Sequence, residues 1–159
     1  MWRWLRREFY IELSKRKIAY RLAELINVAS DGVMEFLLRD LISNITRVQV
    51  IAHHLEGGNY AHSYRSAIVT EYEQMVVGMV LYYASLFHRI TEEMQEFFPK
   101  DRLEHLRSFY SPWVENSLFL DALCVEKEFP GKGIGSELMS LTKKRAKENR
   151  CDVIYKVKE

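Results

Sequence analysis

Glycines at 131, 133 and 135, with Lys132 and Ile134 between them, follow the apolar run Ser117-Leu-Phe-Leu-Asp-Ala-Leu-Cys-Val125 and precede a helical pattern that opens at Ser136. Glycine at these places removes side chains that would hold backbone N–H groups away from an anion. A helix start adds unpaired donors and the positive end of its dipole. The chemistry this spacing offers is the holding of a phosphate or diphosphate. Asp121 lies inside the apolar run. Strand alternation puts it on the face of Leu123 and Val125, and a carboxylate among apolar neighbours is expected to titrate high enough to accept a proton. The plain alternative is that it bonds a neighbouring backbone or basic group. Glu71, in a second β-rich run, is the next candidate base.

Two familiar phosphate loops do not fit. A nucleotide-triphosphate loop needs Gly-Lys followed by Ser or Thr, and Lys132 is followed by Gly133. A dinucleotide fingerprint needs a third glycine where Ser136 stands and an acidic residue ending the next strand, whereas Asp152 comes before Val153-Ile154-Tyr155. The whole segment, Leu123-Cys-Val125, Phe129 and Gly131-Lys-Gly-Ile-Gly-Ser136, resembles the acyl-CoA-binding motif of the GNAT N-acetyltransferase superfamily, Gln/Arg-x-x-Gly-x-Gly/Ala after a strand ending Leu-Ala-Val. Pro130 departs from it, standing where the family places Arg or Gln. Proline has no N–H, so one donor to the ligand is lost.

The resemblance implies acetyl-CoA as co-substrate, with no metal. Backbone groups of Leu123, Cys124 and Val125 would pair with its pantetheine amides, as a missing strand neighbour would. The N–H groups of Gly131, Lys132, Gly133, Ile134, Gly135 and Ser136 would hold its pyrophosphate. The implied reaction is direct attack on the thioester by a primary amine of a small molecule or protein, with Asp121, then Glu71, as base. Tyr82 or Tyr83 are candidate proton donors, with core packing as the alternative. A non-catalytic acyl-CoA-binding or interaction module is the rival reading.

Composition agrees with one ordinary globular domain over residues 1–159, at 48% hydrophobic and 28% charged residues. A formal charge of +1 gives no reason to expect nucleic acid. Cys124 and Cys151 have no metal-ligand spacing. No apolar run reaches the ~20 residues of a membrane span, and Met1–Glu8, basic and aromatic, lacks the apolar stretch of a signal peptide. The expected address is cytoplasmic, with no membrane partner and residues 1–8 as an N-terminal extension.

The elements that must position the loop follow from periodicity. Phe9–Leu13 reads as a strand with Ser14 capping the helix after it. Ile18, Leu22, Leu25, Ile26 and Ala29 recur at helical spacing until Asp31-Gly32. A second helix runs from Met34 to a point before Glu56-Gly57-Gly58. Runs 66–72 and 76–83 form a hairpin linked by Glu73-Gln74-Met75, and Gly78 marks a bulge or a close backbone approach. Residues 84–116 are helical in pieces, and Glu92, Glu93, Glu96 and Glu104 make them acidic, as a solvated face or as a wall that favours a cationic amine. In the family this stretch helps shape the acceptor pocket.

The order β-α-α-β-β-β-α-β predicts an α/β fold, a GNAT-like mixed sheet flanked by helices. The family normally continues past the strand at Cys151–Val157 with a further helix and two strands. The reading therefore expects a C-terminally short domain whose last strand has an open edge, which suits a strand-mediated homodimer first, and also a partner subunit or a truncated copy with impaired activity. The histidines at 53, 54, 62, 88 and 105 read as surface residues, since the adjacent pair His53-His54 makes a poor chelate on a helix.

Overall fold

The computed structural model describes residues 3–4, 9–13, 16–57, 61–111, 113–151 and 153–155. Six strands form one sheet in the spatial order of the sequence: β1 (Arg3–Trp4), β2 (Phe9–Leu13), β3 (Ala67–Tyr72), β4 (Met75–Ala84), β5 (Ser117–Val125) and β6 (Val153–Tyr155). All neighbours are antiparallel except β5 and β6, which run parallel and are joined by a helical crossover. The helices are α1 (Ala19–Ala29), α2 (Val33–Leu38), α3 (Arg47–Glu56), α4 (Glu92–Phe97), α5 (Lys100–Tyr110) and α6 (Ile134–Glu148). This is the expected α/β architecture, with two additions. Arg3–Trp4, inside the segment set apart as an extension, pairs with β2, and the second expected helix is divided. The Ser14 cap, residues 1, 2 and 5–8, Asp152, Lys156 and Val157 lie outside the described residues.

Helix two breaks for local reasons. Asp40 and Asn44 take positive φ, 57° and 64°, and Thr46 starts α3 with a full capping box. Its Oγ1 accepts from the Gln49 N–H at 3.2 Å, and its own N–H donates to Gln49 Oε1 at 2.8 Å. Arg102 donates to the carbonyls of Leu37 and Arg39, at 2.9 and 2.6 Å, and so satisfies the end of α2. Thr46→Ala is expected to lower stability by about 1 kcal/mol, read as a lower urea midpoint at unchanged slope; an unchanged midpoint would show that the cap contributes nothing.

Two cores form because the sheet is covered on both faces. Leu22, Leu25, Ile51 and Leu55 of α1 and α3 meet Val69, Val76, Met79, Leu81 and Ala122 on one face. Ile134, Leu138 and Ala146 of α6, one turn or two apart, meet Ile68, Val77, Val80, Tyr82, Leu118 and Leu120 on the other. The hairpin turn is Glu73-Gln74, both at positive φ of 47° and 65°, the geometry of a two-residue turn that matches strand twist; Met75 joins β4 rather than the link.

Two bulges shift the phase of the strands. The β3–β4 register steps between Thr70↔Gly78 and Glu71↔Val76, leaving Val77 extra, and a Cβ on Gly78 would stand 3.0 Å from Ile134 Cγ2 and 3.4 Å from the Cys124 carbonyl oxygen. Both readings of Gly78 therefore hold, the bulge and the close approach. The β4–β5 register steps between Leu81↔Ala122 and Tyr82↔Leu120, leaving Asp121 extra.

Candidate active site

The second bulge corrects where Asp121 points. Simple alternation puts it with Leu123 and Val125, yet those two pack on the α6 face, while Ala122 and Cys124 pack toward α1 and α3. The extra residue turns Asp121 the same way as Ala122, beside Tyr83. Glu71 lies on that face too, but the sheet does not bring it to Asp121. It pairs with Val76, while Asp121 sits at the Leu81/Tyr82 step; from Val76 to Leu81 is about 16 Å at the rise of a strand.

Around Asp121 the structure gathers side chains from four parts of the chain. His62, from the segment leading into β3, has its Nε2 3.5 Å from Asp121 Oδ1 and its ring edge-on to Tyr83 at 4.9 Å. Tyr83 Oη is 3.4 Å from the same carboxylate oxygen and 3.3 Å from His88 Nδ1. His88 Nε2–H donates to the Phe109 carbonyl at 2.9 Å, and the ring stacks on Phe119 at 3.7 Å. That tautomer leaves Nδ1 as a lone pair, so the single phenolic proton of Tyr83 stands between His88 and Asp121. His88 is only 2% exposed, and His62 is half-buried. The expectation of surface histidines fails for these two. No spacing signal could have found them, because His62 and Asp121 are joined only by the packing of a loop on the sheet.

The charges follow the burial. Burial lowers the His62 pKa, but the charge of Asp121 and the bond to it outweigh this, and the net shift is upward. Burial holds His88 below its ordinary value, against the Phe109 carbonyl and Asp121. His54, on α3, is also lowered, by burial and then by the charge of His62, with Glu93 acting the other way. Tyr83 is 4% exposed with its hydroxyl inside this network, and Tyr82 packs against α6 with its phenol raised by burial. Tyr82 is thus a packing residue, whereas the Tyr83 hydroxyl belongs to the hydrogen-bond network around Asp121.

At the other end of β5 the strand leads into the glycine loop. The Glu126 N–H donates to the Val77 carbonyl at 2.8 Å. Arg21 of α1 donates from Nε to the Val76 carbonyl at 3.0 Å and pairs with Glu126 and Glu24, which ties the first helix to the turn. Phe129 packs edge-on against Tyr72. Gly131 and Gly133 take left-handed φ of 66° and 77°, and a Cβ on either would meet nothing within 4 Å. Two residues are thus glycine for conformation and border open space. Gly135 differs: its φ is ordinary, and Val125 and Leu123 lie 3.8 and 3.9 Å from a Cβ there, so alanine would also fit.

Helix α6 begins at Ile134, earlier than the expected Ser136, with Gly133 as its N-cap. The first closing bond outside the ladder is Glu137 N–H to the Gly133 carbonyl at 3.0 Å. The N–H groups of Ile134, Gly135 and Ser136 precede it and have no place in the helix ladder. Ile134 is 2% exposed and anchors the helix start over Gly78, while Lys132 and Ser136 are exposed. Left-handed glycines, open space and amides at a helix start fit a diphosphate. Beside them, β6 pairs with β5 only at Ser117, Leu118 and Phe119 among the described residues, so the described β6 does not reach Leu123, Cys124 or Val125. Burial, then the charge of Glu126, raises the Cys124 thiol, and the side chain packs against the α1 and α3 core.

In the stretch between hairpin and β5, Glu92, Glu93, Glu96 and Glu104 are exposed, and Glu104 pairs with Arg107. Among the described residues no group of His, Cys, Asp and Glu has the arrangement of a metal site, and no helix is long and apolar enough to cross a membrane.

Residues 33–158 match the family model described as Acetyltransferase (GNAT) family. No curated protein matches the chain. Among solved structures, an acetyltransferase is 20% identical, with 87% of this chain and 74% of that one covered and a TM-score of 0.62. The ribosomal-protein-alanine N-acetyltransferase from Brucella melitensis biovar Abortus 2308 is 18% identical over 95% and 80%, with a TM-score of 0.53. The aminoglycoside N-acetyltransferase AAC(6')-Iy in complex with CoA is 8% identical over 95% and 77%, with a TM-score of 0.58. These likenesses are of fold.

Proposed function

The chain belongs to the GNAT acetyltransferase family and is an acyltransferase; from that premise we propose that it moves an acetyl group from acetyl-CoA to a primary amine of a small molecule or protein by direct attack. The observation that carries this reading is the loop: two left-handed glycines beside open space, leading into a helix whose first amides precede its hydrogen-bond ladder. The N–H groups of Gly131, Lys132, Gly133, Ile134, Gly135 and Ser136 hold the pyrophosphate, and the backbone of Leu123, Cys124 and Val125 holds the pantetheine as a strand neighbour would. That runs the ligand along β5 toward Asp121, where a carboxylate serves the removal of the ammonium proton. Of the two candidate carboxylates, Asp121 is the one in line with this path, and Glu71 stands at the loop end of the sheet.

The solved neighbours are named for a protein alanine and an aminoglycoside, and either kind of amine suits the reading. The two free cysteines accord with a cytoplasmic protein, and the outer edge of β6, the last strand in the sheet, suits a homodimer.

Calorimetric titration with acetyl-CoA, followed by thiol release across a panel of amines, tests the proposal. The panel is a peptide with a free N-terminal alanine, lysine, spermidine and kanamycin. Saturable binding and amine-dependent CoA release are expected. No binding sinks the loop assignment; binding without release from any amine leaves only an acyl-CoA-binding module.

A further inference from the structure

We propose that His62 is the catalytic base of the transfer, with Asp121 as the residue that positions and charges it. This inference rests on the acetyl-transfer reading above, and it assigns the proton to a side chain that spacing in the sequence left on the surface.

Geometry separates the two groups. One Asp121 oxygen already has two neighbours, His62 Nε2 at 3.5 Å and Tyr83 Oη at 3.4 Å, and the side chain is 16% exposed. A carboxylate held this way is a poor acceptor for a further proton. The His62 side chain is 32% exposed, twice as open as that of Asp121. Its Nε2 faces the carboxylate, so the tautomer with Nε2–H toward Asp121 leaves a lone pair on Nδ1. Nδ1 has no protein partner among the described residues.

The ring is fixed from a second side by its edge-on contact with Tyr83, and Tyr83 by His88, whose Nε2–H is spent on the Phe109 carbonyl. The result is a chain, Phe109 carbonyl to His88 to Tyr83 to Asp121 to His62, that ends at an imidazole nitrogen over β4 and β5. The titratable groups facing His62 are Asp121 of β5, Tyr83 of β4, His88 after β4 and His54 of α3, with Glu93 of α4 facing His54 in turn. Among the described residues Asp121 is the close anion, and it favours the protonated ring. The two other histidines are held toward neutrality.

The proton balance is complete without a further reactant. His62 Nδ1 takes one proton from the acceptor ammonium, and the freed amine lone pair forms the N–C bond at the thioester carbonyl carbon. The C–S bond breaks with its electron pair on sulfur, and the CoA thiolate takes the second proton from the amine nitrogen. His62 returns its proton to solvent. Amide, CoA thiol and one released proton are the products.

The test uses the intact chain and three variants, His62→Gln, Asp121→Asn and the double variant. In wild type, kcat/KM on the best amine of the panel is expected to rise with pH through an ionisation above the ordinary histidine value. His62→Gln is expected to keep the acetyl-CoA Kd within about twofold, to lose at least a hundredfold in kcat and to abolish that limb. Asp121→Asn is expected to lose about tenfold and to move the limb to lower pH, because the anion that favours imidazolium is gone. The His62 ring resonance, followed by NMR in enzyme without substrate, is expected to shift its titration the same way in Asp121→Asn.

The double variant should be no slower than His62→Gln. If Asp121→Asn abolishes the limb and His62→Gln leaves it, the carboxylate is the base and the inference falls while the transferase reading stands. An unmoved His62 titration in Asp121→Asn also overturns it. Failure of wild type to bind acetyl-CoA, or to release CoA with any panel amine, instead sinks the reading beneath it.

Discussion

Gly133→Asp is expected to raise the Kd for acetyl-CoA at least a hundredfold, whereas Gly133→Asn should change it by less than about tenfold. The comparison works because Gly133 has two properties that can be separated. Its φ of 77° is left-handed, and a Cβ built there meets nothing within 4 Å. Neither substitution creates a clash, and Asn and Asp both tolerate this conformation better than other side chains. What distinguishes them is charge. A carboxylate about 5 Å from a phosphate charge, at an effective dielectric of about 20, costs roughly 3 kcal/mol, or about a hundredfold in Kd. Titration calorimetry of both variants, with circular dichroism to confirm folding, checks it. Equal affinities for Asp and Asn would mean that no anion lies over this loop.

Removing the ring of Phe119 is the largest stability change we expect. The side chain is fully buried, stacks on His88 at 3.7 Å and meets Tyr83 and Phe109 at 5.3 and 5.8 Å. Phe119→Ala should cost about 3–5 kcal/mol, a large part of the ~5–15 kcal/mol that holds a domain of this kind together. Thermal unfolding should drop by roughly 6–20 °C. The functional consequence follows from the same contacts. Without the stacked ring His88 loses its seat, and the bonds that orient Tyr83 and Asp121 loosen with it. In the folded fraction kcat should fall more than acetyl-CoA affinity, since the loop lies at the other end of β5. Phe119→Leu, which keeps most of the volume, should retain most of both. A loss of under 1 kcal/mol in Phe119→Ala would show that this aromatic cluster is not what fixes the start of β5.

The amide loop and the aspartate network are two ends of one strand. Val125 delivers the chain to the loop, Phe119 sits in the aromatic cluster, and the bulge at Asp121 lies between them. Two register shifts aim the parts: Val77 and Gly78 let α6 start close above the sheet, and Asp121 turns a carboxylate away from α6 toward Tyr83 and His62. On the proposed reading, binding lies at one end of β5 and chemistry toward the other, and the two sets of variants above are therefore expected to move different observables.

Much of this was legible from local pattern. The glycine spacing at 131, 133 and 135, the strand at 117–125, the hairpin around Glu73-Gln74 and the amphipathic stripe of α6 depend on near neighbours in the chain, because turn conformation, strand alternation and helical period are set over a few residues. The division of the second helix is present as well, in Thr46-x-x-Gln49, a capping signal set within a continuous apolar period. The order of the elements and a glycine loop that opens a helix are thus readable from the chain alone. The face of Asp121 and its neighbours come instead from long-range packing. The bulge at Asp121 has no glycine to mark it as Gly78 marks the other, and His62 reaches Asp121 only because its segment packs across the sheet. Side-chain chemistry at that site depends on distance in space, which spacing along the chain does not encode.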